Sequence, residues 1–245
     1  MRFVMIAHQR TGTTVFRELL NQNQSVYAYG EAFHPKLFKW GWYSYLLPKV
    51  QEDPSAILPP NRGRYLTPYL NSLYEAKEKP PIVAVGIDVK IPQAQLIYAL
   101  PEAVRQCGAG VLHLRRKNTL AAIVSYELAK RRVRSGGRAH GTQPANSEPV
   151  RLNLNWLELR ISEFEKQDEK VKWLYRHHAY MELFYEDFIG DVGWQRTCAR
   201  LSEFLGAELR GIFSPRLKKQ NSSNVSDLIV NADQVKRQFP QFFDA

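Results

Sequence analysis

The sequence is poor in cysteine and has fewer acidic than basic residues. Its two cysteines, Cys107 and Cys198, lie far apart, with no CxxC pattern and no cluster of Cys and His around them. This spacing argues against a disulfide framework and a zinc site, and it fits a reducing compartment. Asp and Glu number 24 against 34 Lys and Arg, which gives a formal net charge of +10. Such a charge favours anionic cofactors, polyanions, and sulfated or phosphorylated ligands as partners.

Long hydrophobic runs are also missing. No stretch approaches the roughly 18–20 consecutive apolar residues of a membrane-spanning helix. The first strand pattern begins at about residue 2, so we expect neither a signal peptide nor a membrane anchor, and a cytoplasmic location. The 245 residues are 44% hydrophobic, which suffices for one sizeable core. We therefore expect one domain spanning residues 1–245.

Short apolar segments alternate with helical patterns along the chain. Strands are predicted at residues 2–7, 82–89, 110–114 and 180–185, and helices at residues 14–21, 118–132 and 154–175. This alternation predicts an α/β fold with a central, mainly parallel sheet flanked by helices. Residues 48–68 contain five prolines, and residues 135–150 are rich in Gly, Pro and polar residues. Both regions are predicted to be loops.

The segment HQRTGTT, residues 8–14, stands between the first strand and the first helix. This layout is typical of a phosphate-binding loop, in which backbone N–H groups and a helix N-terminus face an anion. The ATP and GTP form of the motif fails twice, because Ala7 and Thr13 replace its first glycine and its lysine. The cation here is Arg10, before Gly12. The alternative is an ordinary strand-to-helix turn with hydroxyl caps.

A second basic element follows a later strand. Arg115, Arg116 and Lys117 end that strand, and Ser125 lies on the next helix. Guanidinium groups and a hydroxyl in this arrangement can bind a second phosphate, although a solvated helix start is the alternative. Since successive strand residues point to opposite faces, the three cations cannot all point the same way. Arg116 is the favoured ligand.

The two elements together resemble the sulfotransferases that use 3′-phosphoadenosine-5′-phosphosulfate (PAPS). That family has a [KR]-[ST]-G-[ST]-[ST] loop for the 5′-phosphosulfate and an R-x(7–8)-S element for the 3′-phosphate. The sequence FYEDF at 184–188, FLG at 204–206 and RLKKQN at 216–221 adds to the resemblance. The chain looks most similar to bacterial carbohydrate sulfotransferases of the nodulation and trehalose-sulfating kind.

The resemblance implies a P-loop-like three-layer fold, PAPS as co-substrate and no metal. It also implies three groups of PAPS contacts. These are Arg10, Thr11, Gly12, Thr13 and Thr14 in the first loop; Arg115, Arg116 and Ser125 in the second element; and Lys218, Lys219 and Gln220 near the C-terminus.

Sulfuryl transfer also requires a base for the acceptor hydroxyl, and the segment YGEAFHP at residues 29–35 supplies two candidates. The resemblance to carbohydrate sulfotransferases implies Glu31. His34 is the alternative, because phenol and steroid sulfotransferases use a histidine. Arg10 is suited to stabilise charge on the leaving phosphate. Lys90 ends a strand on the same side as Asp88, and it either faces the sulfuryl group or pairs with a neighbour.

The acceptor is expected to be a small molecule or glycan with a free hydroxyl, and its pocket is expected to be shaped by residues 36–80 and 130–153. An aromatic run could stack on a sugar ring or simply belong to the core. The run comprises Phe33, Phe38, Trp40, Trp42, Tyr43 and Tyr45.

Two other functions compete with this interpretation. A metal-dependent P-loop kinase requires the loop lysine that Thr13 replaces. A non-catalytic nucleic-acid-binding protein would use the basic cluster of Lys130, Arg131, Arg132, Arg134 and Arg138. Neither nucleic acid nor a metal is expected as a partner of the favoured sulfotransferase.

Overall fold

A computed structural model describes residues 1–35, 39–135, 148–210, 212, 214–215 and 224–243. Its centre is a sheet of five strands, all of them parallel, in the order β2-β3-β1-β4-β5. The strands are β1 (Arg2–Ala7), β2 (Val26–Glu31), β3 (Ala84–Lys90), β4 (Gly110–Arg115) and β5 (Tyr180–Phe184). The predicted α/β class, with a central parallel sheet flanked by helices, is confirmed.

Helices connect and cover the strands. They are α1 (Thr13–Asn21), α2 (Trp42–Glu52), α3 (Pro59–Glu75), α4 (Ile91–Leu96), α5 (Leu100–Gln106), α6 (Thr119–Arg134), α7 (Leu154–Leu174), α8 (Tyr185–Phe188), α9 (Asp191–Leu205) and α10 (Ala232–Gln238). Short 3-10 helices occupy Pro54–Ile57, Val225–Leu228 and Pro240–Phe242. No helix in the described ranges is long and apolar enough to cross a bilayer.

The sheet has an apolar cluster on each face. Val4 and Ile6 of β1 pack on one face with residues of α3, whereas Phe3 and Met5 pack on the other with residues of α1 and α9. The alternation follows from the two-residue period of a strand. Residues Phe3 to Ala7 are fully buried, as expected for the central strand of a covered parallel sheet. A third cluster joins α6, α7 and α10.

The structure corrects the loop prediction for residues 48–68. This region lies mostly in α2, the 3-10 helix Pro54–Ile57 and α3, which has Pro at its first position. Proline suits the first turn of a helix, because the N–H that it lacks has no intrahelical partner there. Pro48 and Pro68 lie inside α2 and α3, where the surrounding packing outweighs the lost hydrogen bond. Of the other predicted loop, residues 136–147 lie outside the described residues.

The strand β2 was not predicted, and it positions the candidate base. It forms the edge of the sheet beside β3, and Glu31 is its last residue. Because all five strands are parallel, the residues that end or follow β1, β2, β3 and β4 meet where the carboxyl ends of the strands lie. The fold therefore brings together, from distant parts of the chain, Arg10, Glu31, Lys90 and Arg116.

Candidate active site

The loop after β1 turns sharply before α1. Arg10 has a φ of 67° and Gly12 a φ of 81°, so two residues in this short turn are left-handed. For arginine this conformation is uncommon and strained, and such residues cluster at ligand sites. Gly12 is the N-cap of α1, which has neither a side-chain cap nor an acidic residue in its first turn. The N–H groups at this helix start are thus not satisfied by a capping side chain.

The three threonines of the loop have different surroundings. Thr11 is buried, and its hydroxyl donates a hydrogen bond to the carbonyl oxygen of His8 (2.8 Å). Thr13 is buried and accepts a hydrogen bond from Lys90, whereas Thr14 is half-buried. Thr11 therefore closes the turn, and Thr13 connects the loop to β3.

Gly12 also allows the chain to pass close to an aromatic ring. A Cβ atom at this position would lie 2.4 Å from Cδ2 of Tyr185, the first residue of α8. The Tyr185 ring also lies under the guanidinium of Arg116, at 4.9 Å from its centroid. Tyr185 thus connects the first loop to the second basic element. The family resemblance included this tyrosine in its FYEDF motif but gave it no role.

Arg10, Arg116 and Ser125 meet beside the loop. Nε of Arg10 donates a hydrogen bond to Oγ of Ser125 (3.2 Å), and Nη1 of Arg116 donates to the carbonyl oxygen of Arg10 (3.4 Å). Burial, followed by the nearby charges of Arg132 and Arg116, lowers the pKa of Arg10 to about 10. Burial also lowers the pKa of Arg116. Positive charge is concentrated here at a cost in desolvation and repulsion, which a bound anion would offset.

Arg116 is incompletely compensated within the protein. Its buried Nε has no hydrogen-bond partner among the described residues, and the nearest carboxylate oxygen, on Glu186, lies 3.6 Å away. The same carboxylate accepts a hydrogen bond from the backbone N–H of Lys117 (2.9 Å), so it is held at the start of α6. Glu186 was not among the predicted site residues.

The other two cations of the run point elsewhere, in line with strand alternation. Arg115 donates to Asp168 and to Glu182, at 2.8 Å each. Lys117 is paired with Asp187. The structure therefore places Arg116 at the first loop and does not bring Arg115 there.

Lys90 and Asp88 form a buried pair at the end of β3. Nζ of Lys90 lies 2.8 Å from both carboxylate oxygens of Asp88 and also donates to the hydroxyl of Thr13. Both charged residues are at most 3% exposed. Lys90 is thus paired with a neighbour, as one of the two sequence hypotheses held, and it also contacts the first loop.

Glu31 lies next to this pair. Its Oε1 is 4.0 Å from Nζ of Lys90, and its Oε2 accepts a hydrogen bond from Nε2 of Gln93 (3.3 Å). Oε1 of the Gln93 side chain in turn accepts a hydrogen bond from the backbone N–H of Lys90 (3.0 Å), so the Gln93 amide connects Glu31 with Lys90. Glu31 is half-buried, with 30% of its side chain exposed, and can still reach a ligand. Gln93 was missed by sequence reasoning, although its position three residues into a helix start is a capping signal.

His34 is separated from Glu31 by one turn. Its backbone N–H donates to the carbonyl oxygen of Glu31 (3.2 Å), and its side chain is half-buried. Both candidate bases therefore lie at the same strand end. Of the two, Glu31 is the one whose side chain is known to lie against Lys90.

Most of the aromatic run belongs to the core. Phe33 and Trp42 are buried in the cluster that contains α3, and Trp40 and Tyr45 pack against it. Tyr43 is 39% exposed, and Phe38 lies outside the described residues. The described members of the run therefore do not form a continuous sugar-stacking surface. Trp40 reaches the end of β2, where a Cβ atom at Gly30 would lie 3.5 Å from its Cη2 atom.

A buried polar network anchors the start of the loop to α7. Asp168 contacts Nε2 of His113 (3.1 Å), Nε2 of His8 (3.3 Å) and Arg115. Burial raises the pKa of Asp168, but hydrogen bonds from His113 and His8 outweigh it, and the pKa falls below its ordinary value. Asp168 also went unpredicted. Its signal was a carboxylate on the apolar stripe of α7 that contains Ile161 and Val171.

The remaining predicted contacts, Lys218, Lys219 and Gln220, lie outside the described residues. Within the described ranges, no group of three or more His, Cys, Asp or Glu side chains is placed to hold a metal ion.

No protein-family model matches the chain, and no curated protein matches it. The chain is similar to the crystal structure of a sulfotransferase from Alicyclobacillus acidocaldarius, with a TM-score of 0.46 and 13% identity over 99% of this chain and 92% of that one.

Proposed function

We propose that the chain, acting as one domain over residues 1–245, is a PAPS-dependent sulfotransferase that transfers a sulfuryl group to a hydroxyl of a carbohydrate or glycoconjugate. The observation that carries this proposal is the meeting of Arg10, Arg116 and Ser125 at the first loop. This cluster lies beside a helix start without a side-chain cap. One edge of the sheet therefore offers two adjacent anion sites, as a nucleotide with phosphates at both 3′ and 5′ positions requires.

The two anion sites divide the nucleotide between them. Backbone N–H groups from Arg10 to Thr14 and the start of α1 bind the 5′-phosphosulfate. Arg116 and Ser125 bind the 3′-phosphate, which pairs with the incompletely compensated guanidinium. Arg115 acts at a distance, by fixing the end of β4 through Asp168 and Glu182. Lys218, Lys219 and Gln220 remain proposed PAPS contacts on the strength of the sequence motif alone.

Transfer requires the acceptor oxygen to attack sulfur in line with the departing phosphate oxygen. Glu31 accepts the proton of the acceptor hydroxyl as the new O–S bond forms. The old S–O bond breaks, and its electron pair stays on the 5′-phosphate, where Arg10 and the helix start stabilise the charge. Lys90 places positive charge behind Thr13. The Thr13 hydroxyl accepts a hydrogen bond from Lys90, so its own O–H is left to donate to the phosphosulfate of PAPS. His34 is the second candidate for the base.

Binding of adenosine 3′,5′-bisphosphate (PAP), the product nucleotide, tests the donor half of the proposal. Calorimetry is expected to show micromolar or tighter binding of PAP and much weaker binding of ATP with magnesium. The opposite preference would favour a P-loop kinase. Transfer of label from PAPS to a panel of hydroxylated acceptors tests the second half, and the absence of any labelled product with every acceptor would contradict the carbohydrate assignment.

A further inference from the structure

Arg17 lies on the face of α1 that borders β2. Thr13, one turn earlier on this face, contacts Lys90. Asn21, one turn later, exchanges two hydrogen bonds with the backbone of Ala28 (2.6 and 3.0 Å). Residues four apart on a helix share a face, so Arg17 is fixed between these contacts. The guanidinium therefore lies over β2, near the strand end that carries Glu31.

Gly30 provides the space that Arg17 occupies. A Cβ atom at Gly30 would lie 2.3 Å from Nη1 of Arg17 and 3.5 Å from Cη2 of Trp40. The guanidinium thus lies directly against the backbone of Gly30, the residue before the proposed base, and an indole ring flanks the same point. An aromatic ring and a fixed cation at one place suit a sugar that carries a negative charge.

The charge of Arg17 is not matched within the described part of the chain. Its side chain is half-buried, yet it forms no hydrogen bond or ion pair with any described residue. Two other half-buried arginines are paired with carboxylates, since Arg2 binds Glu78 and Arg115 binds Asp168 and Glu182. A guanidinium has five N–H donors, and those of Arg17 are left for a ligand or solvent.

The position of Arg17 separates it from the proposed 3′-phosphate site. Arg116 follows β4, which is three strands away from β2 in the sheet order. At a spacing of about 4.8 Å per strand, the two strands are roughly 14 Å apart. Lys90, at the end of β3, and the loop that follows β1 lie between the two. Arg17 is therefore at the β2 side of the sheet, near the proposed base and away from the 3′-phosphate site, and this is where an acceptor would lie.

We propose that Arg17, with Trp40 beside it, binds an anionic group of the acceptor, a carboxylate or a phosphate ester, close to the hydroxyl that is sulfated. The inference rests on the sulfotransferase function proposed above, because that function defines the acceptor side. It narrows the substrate class from carbohydrates in general to anionic ones.

Direct binding of matched sugars tests the inference. The probes are methyl glucoside, methyl glucuronoside and glucose 6-phosphate, titrated by calorimetry or NMR with and without saturating PAP. The wild type is expected to prefer the anionic sugars by about 10–100-fold, the range for a charge-assisted hydrogen-bonded pair. Whether the glucuronoside or the phosphate binds more tightly identifies the group recognised.

Four variants assign the preference. Arg17→Gln is expected to remove it, and Arg17→Lys to keep part of it, because lysine retains charge but not the planar fork. Gly30→Ala keeps the charge of Arg17 but displaces its guanidinium. The end of the Arg17 side chain is flexible, so it can move without unfolding the protein. Arg196→Gln, at an exposed position on α9, removes the same charge elsewhere and should leave the preference intact.

Two results would overturn the inference: no preference for the anionic sugars in the wild type, or an unchanged preference in Arg17→Gln. Its failure is distinguishable from that of the proposed function. If PAP binds and the sugars are not discriminated, only the anionic subsite is wrong. If PAP does not bind and the Arg17-dependent preference persists, the subsite stands and the donor assignment is wrong.

Discussion

Arg116 donates a hydrogen bond from Nη1 to the carbonyl oxygen of Arg10, 106 residues earlier in the chain. The contact attaches the junction of β4 and α6 to the loop after β1. A guanidinium in this position can bind a ligand phosphate and hold the loop at the same time, so its replacement should affect the two nucleotide phosphates unequally.

Arg116→Ala is expected to weaken binding of PAP by about 10–100-fold, because the charge-assisted contact to the 3′-phosphate is lost. Binding of adenosine 5′-monophosphate should change by less than about threefold, because the hydrogen bond of Thr11 also holds the loop. Calorimetry with both nucleotides measures the difference. Ser125→Ala is the milder companion, since it removes only a hydroxyl. Equal losses for the two nucleotides would place the 3′-phosphate elsewhere.

Glu31→Gln should abolish turnover and leave PAP affinity nearly unchanged, because the amide keeps the shape of the side chain but cannot accept the proton. Its hydrogen bond with Gln93 can be retained after an amide flip. Labelled sulfate transfer and PAP calorimetry are compared on the same preparations. His34→Gln is the matched control, and survival of turnover in Glu31→Gln but not in His34→Gln would reverse the assignment of the base.

The loop was predictable because its sequence signals are local. Residues 8–14 carry the left-handed turn, the glycine and the helix start within one segment. The strand β2 was not predictable from the sequence. Its segment VYAYGE is short, ends in Gly-Glu and becomes a strand only by pairing with β3, which lies more than 50 residues away in the sequence. Strand propensity depends strongly on such tertiary context.

Proline misled the interpretation of residues 48–68 for a related reason. Pro54 and Pro59 are the first residues of helical segments. Proline also ends helices, and the sequence around these prolines does not distinguish the two roles. Side-chain partners were also out of reach. Alternation showed that Arg115 and Arg116 must diverge, but only the fold shows that Asp168 of α7 receives Arg115.

Removal of the Lys90 charge should destabilise the protein before it affects chemistry. Lys90→Met leaves the Asp88 carboxylate buried without its cation, which costs about 3–5 kcal/mol in the free energy of unfolding. The double variant Asp88→Asn with Lys90→Met should regain most of that stability. Urea unfolding measures this recovery. Full turnover in the refolded double variant would show that the reaction does not use the positive charge behind Thr13.

Asp168→Asn should make stability less dependent on acid pH. The pKa of Asp168 is lower in the folded than in the unfolded protein, where 3.8 is its ordinary value, so its ionised form stabilises the fold above that pH. His8, His113 and Arg115 face this carboxylate, and we expect a loss of about 1–3 kcal/mol at pH 7 in the variant. Urea titrations should show the difference from wild type shrinking as pH falls below 3.8. A difference that grows in acid would mean that the carboxylate does not stabilise the fold in its ionised form.

The parallel order of the sheet has a kinetic consequence for this chain. The loop, the base, the buried lysine and the second phosphate element belong to β1, β2, β3 and β4, and neighbouring strands such as β1 and β3 are separated by more than 70 residues of sequence. Pairings of this kind form late, because a long segment must close before any contact compensates for its lost entropy. The proposed nucleotide site is thus complete only in the fully folded chain, and we expect the recovery of PAP binding during refolding to follow the slowest of these strand pairings.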